Sequence, residues 1–189
     1  MKNDYSHFYN KGVNGRPIFF VESDYLMLLD LMNKYCLRYH ITMIAYCMIP
    51  NHYHFLLRQN NTATDSRFVQ TLFNTFVQKM NRIYKRQGTL FKGSAKSCAV
   101  DKKEYLYHLC RYIHANPVKH NLVKDPLDWA YSNYHEYLHI RDGSLYDESF
   151  FNGIFDTPNE YKQWVDEYIE SIMDVNAENK IINKRLYFE

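Results

Sequence analysis

No apolar run in this chain approaches the ~18–20 residues that a membrane-spanning helix requires. The N-terminal residues Met1-Lys2-Asn3-Asp4-Tyr5 lack the apolar stretch of a secretory signal. The expectation is therefore a cytoplasmic protein with no membrane partner. There is no internal repeat and no low-complexity tract, so repeat architectures are set aside. The cysteines, Cys36, Cys47, Cys98 and Cys110, show neither a Cys-x-x-Cys nor a zinc-ribbon spacing. That removes the usual thiolate zinc sites. All four lie in apolar stretches and are expected to be buried free thiols in a reducing compartment.

Negative charge is scarce over residues 1–141, which carry 19 Lys and Arg against 10 Asp and Glu, a net +9. Residues 142–189 carry 4 against 11, a net −7, so the whole-chain charge of +2 hides a sharp division. A basic body suggests a polyanionic ligand. The 18 tyrosines and 12 phenylalanines are mostly expected in the core, but any exposed ring could stack on an unpaired base. At 189 residues the chain suits one domain, 1–141, followed by an acidic, partly helical tail, 142–189.

Local patterns supply the order of elements. Tyr5 to Asn10 alternates as a strand, and Lys11-Gly12-Val13-Asn14-Gly15-Arg16-Pro17 is a loop by its glycines and proline. Ser23 is placed to cap a helix whose stripe is Tyr25, Leu28, Leu29, Met32, Cys36 and Tyr39. Ile41 to Met48 and His52 to Arg58 are strands joined by a turn at Pro50-Asn51. Thr64 or Asp65 opens a long helix with Val69, Leu72, Phe73, Phe76, Met80 and Ile83 on its apolar face. Lys79, Arg82 and Arg86 fall on another stripe, suited either to solvent or to phosphates. A strand through Val100 follows Gly93. Asp101 then caps a helix from Lys102 to about Ala115, which Pro117 ends. Strand, helix, strand, strand, helix, strand, helix makes an α+β fold: a ferredoxin-like β-α-β-β-α-β sheet with one further helix and a helical tail.

The chemistry lies in Pro50-Asn51-His52-Tyr53-His54-Phe55. Histidines two apart on a strand project to one face, where two imidazoles can share an ion with an amide, carboxylate or water. Metallo-β-lactamase-like sites also use His-x-His but continue with Asp and a further His, whereas Phe55-Leu56-Leu57 follow here. Downstream, in Arg111-Tyr112-Ile113-His114-Ala115-Asn116-Pro117-Val118, Tyr112 and Asn116 are i and i+4 neighbours on a helix. A strand with a ligand pair and a helix with a tyrosine and an amide are the parts of a metal-assisted phosphodiester-cleaving enzyme. The ferredoxin-like order allows the helix to cross the strand.

The wording around these parts resembles the single-tyrosine transposases with a His-hydrophobic-His motif, and in particular their REP-associated branch. Met48 to Leu57 is similar to their metal strand. Gln87 to Gly93 with Lys96-Ser97 is similar to the segment after their long helix. Tyr105-Leu106 and Arg111 to Val118 resemble their nucleophile helix, and Trp129-Ala130-Tyr131-Ser132-Asn133-Tyr134 their trailing block. Tyr53 between the histidines and Ser94-Ala95 after the glycine depart from the usual residues. The resemblance implies His52, His54 and Asn116 as ligands of Mg²⁺ or Mn²⁺ and Tyr112 as nucleophile. It further implies single-stranded DNA as partner, with or without a hairpin, and a 5′-phosphotyrosine intermediate; the sequence leaves a monomer or a homodimer open. Lys79, Arg82, Arg86, Lys92 and Lys96 are candidate DNA contacts. Beside it stand a non-catalytic DNA-binding module on the same scaffold and a replication or mobilisation nickase. His108, one turn before Tyr112, is read as a surface residue rather than a proton relay, and His114 as structural. In the tail, Trp164, Tyr168 and Ile172 share a stripe that would dock on the body, with Asp166, Glu167 and Glu170 largely away from it.

Overall fold

The computed structural model of the chain describes residues 5–61 and 65–186, with side chains described through residue 174. The strands are β1 (Tyr5–Lys11), β2 (Ile41–Ile49), β3 (His52–Gln59) and β4 (Lys96–Ala99). The helices are α1 (Glu22–Tyr39), α2 (Asp65–Ile83), α3 (Lys103–His114), α4 (Asn116–Lys119), α5 (Tyr134–Tyr137), α6 (Glu148–Asn152) and α7 (Pro158–Leu186). The sheet runs β2-β3-β1-β4 with every pair antiparallel, the ferredoxin-like arrangement that the element order predicts.

Alternation along the strands sorts side chains onto two faces. Phe8, Tyr53, Phe55 and Leu57 face α1 and α2, where Leu28, Met32, Phe68, Leu72, Phe73 and Phe76 close one core. Leu56, Cys47 and Ile49 face the other way, against Leu106, Leu109, Cys110 and Ile113 of α3. Tyr137, Phe151, Tyr161 and Val165 finish this second core, so residues beyond 141 are built into the same hydrophobic layer as α3. Asp147 also pairs with Arg58 at 2.7 Å, attaching the acidic segment to β3.

β2 is an edge strand, and the segment after α4 covers it. Met48 N–H donates to the Tyr131 carbonyl (2.9 Å) and the Trp129 indole donates to the Met48 carbonyl (2.9 Å). Pairing with β3 slips between Met43 and Ala45, leaving Ile44 as the extra residue of a bulge. Its carbonyl accepts from Asn133 Nδ2 (2.9 Å) and Tyr137 Oη (2.9 Å). Asn133 Oδ1 accepts from the Tyr46 N–H (2.8 Å) and from His114 Nε2 (2.9 Å), while the Tyr161 hydroxyl donates to His114 Nδ1 (2.6 Å). An amide oxygen can only accept, so this chain of bonds sets the neutral Nε2–H tautomer of His114. Sheet, α3 and α7 meet at these few polar atoms, all of them buried.

Several local expectations are corrected. Ser23 does not cap α1; the Asp24 carboxylate accepts from the Phe20 and Val21 N–H groups instead, at 2.8 and 3.1 Å. Asp101 does not cap α3, whose N-cap position is Lys102, without a side-chain cap bond. Pro117 does not end the helical path but enters the first turn of α4, where a missing N–H costs little. Ile83 is exposed at the end of α2, and Cys98 is exposed on β4, a short strand at the edge of the sheet. Of the alternatives for the start of α2, Thr64 lies outside the described residues. Among the described residues no helix is long and apolar enough to cross a membrane.

Replacing Asn133 with alanine should cost about 2–4 kcal/mol in urea unfolding, because several buried groups lose their partners at once. Acid should also weaken the fold through His114. Burial lowers its pKa to about 4, so the unfolded chain binds the proton more readily. Its contribution is therefore complete above pH 6.5 and is lost as pH falls from 6.5 towards 4. The stability gap between the wild type and His114→Gln, followed by urea unfolding across that range, should narrow as pH falls; a constant gap would refute this assignment.

Candidate active site

The site forms where α3 crosses β3. His52 and His54 project from the same face of β3, with ring centroids 5.3 Å apart and planes at 88°. The opposite face of the strand carries Tyr53, buried against Phe73 in the first core. This explains an aromatic residue between the histidines: the position is a packing position.

α3 supplies the facing wall. The Tyr112 ring meets the His54 ring edge-on at 5.3 Å. One turn later Asn116 is fully buried with its Oδ1 3.0 Å from His52 Nε2. Although α3 ends at His114, Ala115 keeps helical dihedrals and the Ala115 N–H still donates to the Arg111 carbonyl. The i, i+4 relation of Tyr112 and Asn116 therefore survives the junction with α4. The two halves of the expected site meet within one chain.

The protonation states follow from burial. Desolvation is the largest cause that lowers His54 to about 2 and His52 to about 4; the charge that neighbouring histidines would carry if protonated, and that of Lys119, add to both shifts, while the hydrogen bond to Asn116 opposes that of His52. Both rings are neutral at pH 7 and keep a free lone pair. His52 Nδ1 lies 2.8 Å from Oδ1 of the Asn51 side chain and donates to it, which leaves Nε2 as an acceptor facing the acceptor Oδ1 of Asn116. Two lone pairs converging at that distance call for a cation between them, or for a half-turn of the amide that points Nδ2 at the ring. Asn116 Nδ2 is itself buried and, among the described residues, has no hydrogen-bond partner. Among the described residues no three His, Cys, Asp or Glu side chains cluster to hold an ion by themselves, so an ion here would need the Asn116 oxygen. Two neutral imidazoles and one amide oxygen fit a divalent cation and leave most of its charge undiminished.

Tyr112 is half-buried, and its pKa is raised by desolvation first and by the nearby Tyr168, while Asn116 opposes the shift. At rest it is a neutral phenol. Lys119 Nζ sits 4.6 Å above its ring. A cavity of about 490 Å³ opens beside it, lined by His7, Tyr9, His54, Cys98, Arg111 and Tyr168 among others.

Three contributors are not evident from the sequence. His7 on β1 places Nε2 3.0 Å from His54 Nδ1, holding that ring so that its other nitrogen is free. His120 packs on His52 at 4.6 Å. Lys119 covers the nucleophile candidate. Parity alone puts Tyr5, His7 and Tyr9 on one face of β1, but only the register, with Tyr9 opposite His54, brings His7 within reach. Of the basic candidates, Lys96 reaches this face, 5.9 Å from the Tyr9 ring. Lys79 and Arg82 are exposed on α2, which packs on the opposite face, Arg86 folds over Phe20, and Lys92 is exposed in the loop before β4.

A REP-associated tyrosine transposase of Haemophilus influenzae is 28% identical over 126 residues, covering 57% of this chain and 71% of the relative. A solved structure of a REP-associated tyrosine transposase bound to a REP hairpin shares the fold. Its TM-score is 0.61 at 20% identity, over 79% of this chain and 91% of the other. The family model described as "Transposase IS200 like" matches residues 5–116, more than half the chain and the whole span from β1 to Asn116. The chain belongs to the IS200-like transposase family, enzymes that cleave DNA and transfer its strands.

Proposed function

We propose that this transposase cleaves and rejoins single-stranded DNA through a 5′-phosphotyrosine on Tyr112, assisted by a divalent metal. The observation that carries the reading is the double contact between α3 and β3: Tyr112 against His54, and Asn116 against His52. His52, His54 and Asn116 would hold Mn²⁺ or Mg²⁺, supplying Lewis-acid stabilisation of the charge that develops on the non-bridging oxygens of the phosphate.

The rest of the step belongs to the chain. The Tyr112 Oη attacks phosphorus; its bond to phosphorus forms as the bond from phosphorus to the 3′ oxygen breaks. The products are a 5′-phosphotyrosyl strand and a free 3′-hydroxyl. Because burial keeps the phenol protonated at rest, its proton leaves as the new bond forms; solvent entering the adjoining cavity can accept it and supply the proton that the leaving 3′ oxygen takes up. The ester conserves the energy of the phosphodiester, so a second 3′-hydroxyl can attack it and rejoin DNA without a nucleotide cofactor. His7 orients His54 throughout. The contact of α3 with β3 within one chain supports action in cis. The related transposase bound to a REP hairpin supports hairpin-bearing DNA as the substrate class.

Tyr112→Phe should abolish the covalent adduct with single-stranded oligonucleotides from the DNA flanking the chain's own gene, while DNA affinity stays within about twofold. Persistence of the adduct on denaturing gels would move the nucleophile elsewhere, with Tyr105 or Tyr107 the next candidates.

His52→Ala and His54→Ala should each remove Mn²⁺ binding in calorimetry, and Asn116→Ala should weaken it less. His7→Ala should weaken it by roughly 10–100-fold, the range seen for groups that orient a ligand. Unchanged Mn²⁺ affinity in both ligand variants would eliminate the metal site.

A further inference from the structure

We propose that Arg111 is a catalytic residue that binds the scissile phosphate, and that Trp164 and Tyr168 of α7 hold it in place for that contact. The inference rests on the proposed Tyr112 chemistry and adds a second, protein-borne cation to it. Arg111 precedes Tyr112 on α3 and lines the same cavity as Tyr112 and His54. Among the described residues lining that cavity it is the one Lys or Arg, and no carboxylate lines it. A phosphate entering to meet Tyr112 therefore meets this guanidinium at the cavity wall.

The environment of Arg111 is that of a cation held ready for an anion. Its guanidinium carbon lies 4.4 Å from the Trp164 ring centroid and 5.0 Å from that of Tyr168. Stacking on aromatic rings restrains the planar group and leaves its N–H edge for in-plane hydrogen bonds, the geometry that matches phosphate oxygens. Nη2 bonds His108 Nδ1, which accepts, and this gives the exposed His108 a positioning role. Nε is buried and, among the described residues, has no hydrogen-bond partner. Burial works against its charge and lowers its pKa, Tyr168 and Glu167 oppose that shift, and among the described residues Arg111 makes no ion pair with any carboxylate. A packing role alone would be served by a long apolar side chain, without burying an unsatisfied N–H. In the transferring step Arg111 exchanges no proton. It donates hydrogen bonds to a non-bridging oxygen while the Tyr112 Oη bond to phosphorus forms and the bond to the 3′ oxygen breaks. Both clamp residues lie outside residues 5–116, the span of the family match, so this part of the site comes from the chain's own C-terminal helix.

The test uses the full chain and an oligonucleotide whose scissile phosphate, located from the wild-type adduct, is either natural or replaced by an uncharged methylphosphonate. On the natural linkage Arg111→Gln should slow adduct formation by roughly 100–1000-fold, and Arg111→Lys by less. Trp164→Leu and Tyr168→Leu should lower kcat by about tenfold with little change in KM. On the methylphosphonate the wild type and Arg111→Gln should differ by no more than about threefold, since the charge that Arg111 answers is gone. Equal losses on both linkages would reduce Arg111 to a structural staple and overturn the proposal, as would an unchanged rate on the natural one. If the neutral linkage reacts with no variant, the salt dependence of single-strand binding decides. Arg111→Gln should lower the slope of log K against log salt by about 0.7, and an unchanged slope overturns the proposal. A wild type that forms no adduct overturns the Tyr112 reading and this one together; a fully active Arg111→Gln overturns this one alone.

Discussion

The structure depends on where α3 is held, and α3 is held by the buried bonds around Asn133. One amide joins the backbone of β2 to His114, and His114 joins α3 to Tyr161 of α7. Each bond is made away from water, where an unpaired partner would cost about 1–3 kcal/mol, so the assembly tolerates little displacement. Two residues before His114 sits Tyr112, and two after it sits Asn116. A slide of α3 by even one residue would break the His114 contacts and separate Tyr112 from His54. Fold and site are therefore set by the same restraint.

The bulge at Ile44 is part of that restraint. An extra residue in β2 frees a carbonyl from the sheet, and Asn133 and Tyr137 accept the task of satisfying it. The segment that supplies Asn133 also covers the open edge of β2, which would otherwise expose backbone groups to another chain's strand. The Arg141–Glu136 pair braces this segment from behind: Arg141 binds the buried carboxylate at 2.7 Å and the carbonyls of Ala130 and Ser132. A charge buried in this way is tolerated because both partners keep their hydrogen bonds.

Around the site the balance of charge is unusual. His7, His52 and His54 are all neutral at physiological pH because burial disfavours their protonated forms. Cationic charge is instead supplied by Lys119 over Tyr112, Lys96 by Tyr9 and Arg111 between two rings. Neutral nitrogens at the centre and fixed cations at the rim suit a site that must accept an anion without repelling a metal. Within the described part of the acidic tail, α7 presents Tyr161 and Val165 to the core and Trp164 and Tyr168 to Arg111, while Glu167 and Glu170 remain exposed.

By itself the sequence determined the order of elements, the ferredoxin-like class and the face on which His52 and His54 lie, because periodicity and parity are local properties. It likewise determined that Tyr112 and Asn116 share a helical face, and the motif wording marked the family. Tertiary structure alone decided that the helix crosses that particular strand, since packing of Leu106, Leu109 and Ile113 on Leu56 is a long-range event. His7 escaped the sequence reading because its role depends on strand register, which alternation leaves free. Arg111 escaped for a similar reason: its partners lie more than fifty residues away, on a helix whose apolar stripe announces docking but not where. The caps expected at Ser23 and Asp101 failed because a neighbouring carboxylate at Asp24, or no side chain at all, met the same backbone need. Local rules name the residues able to fill a role; the packing of the whole chain selects among them.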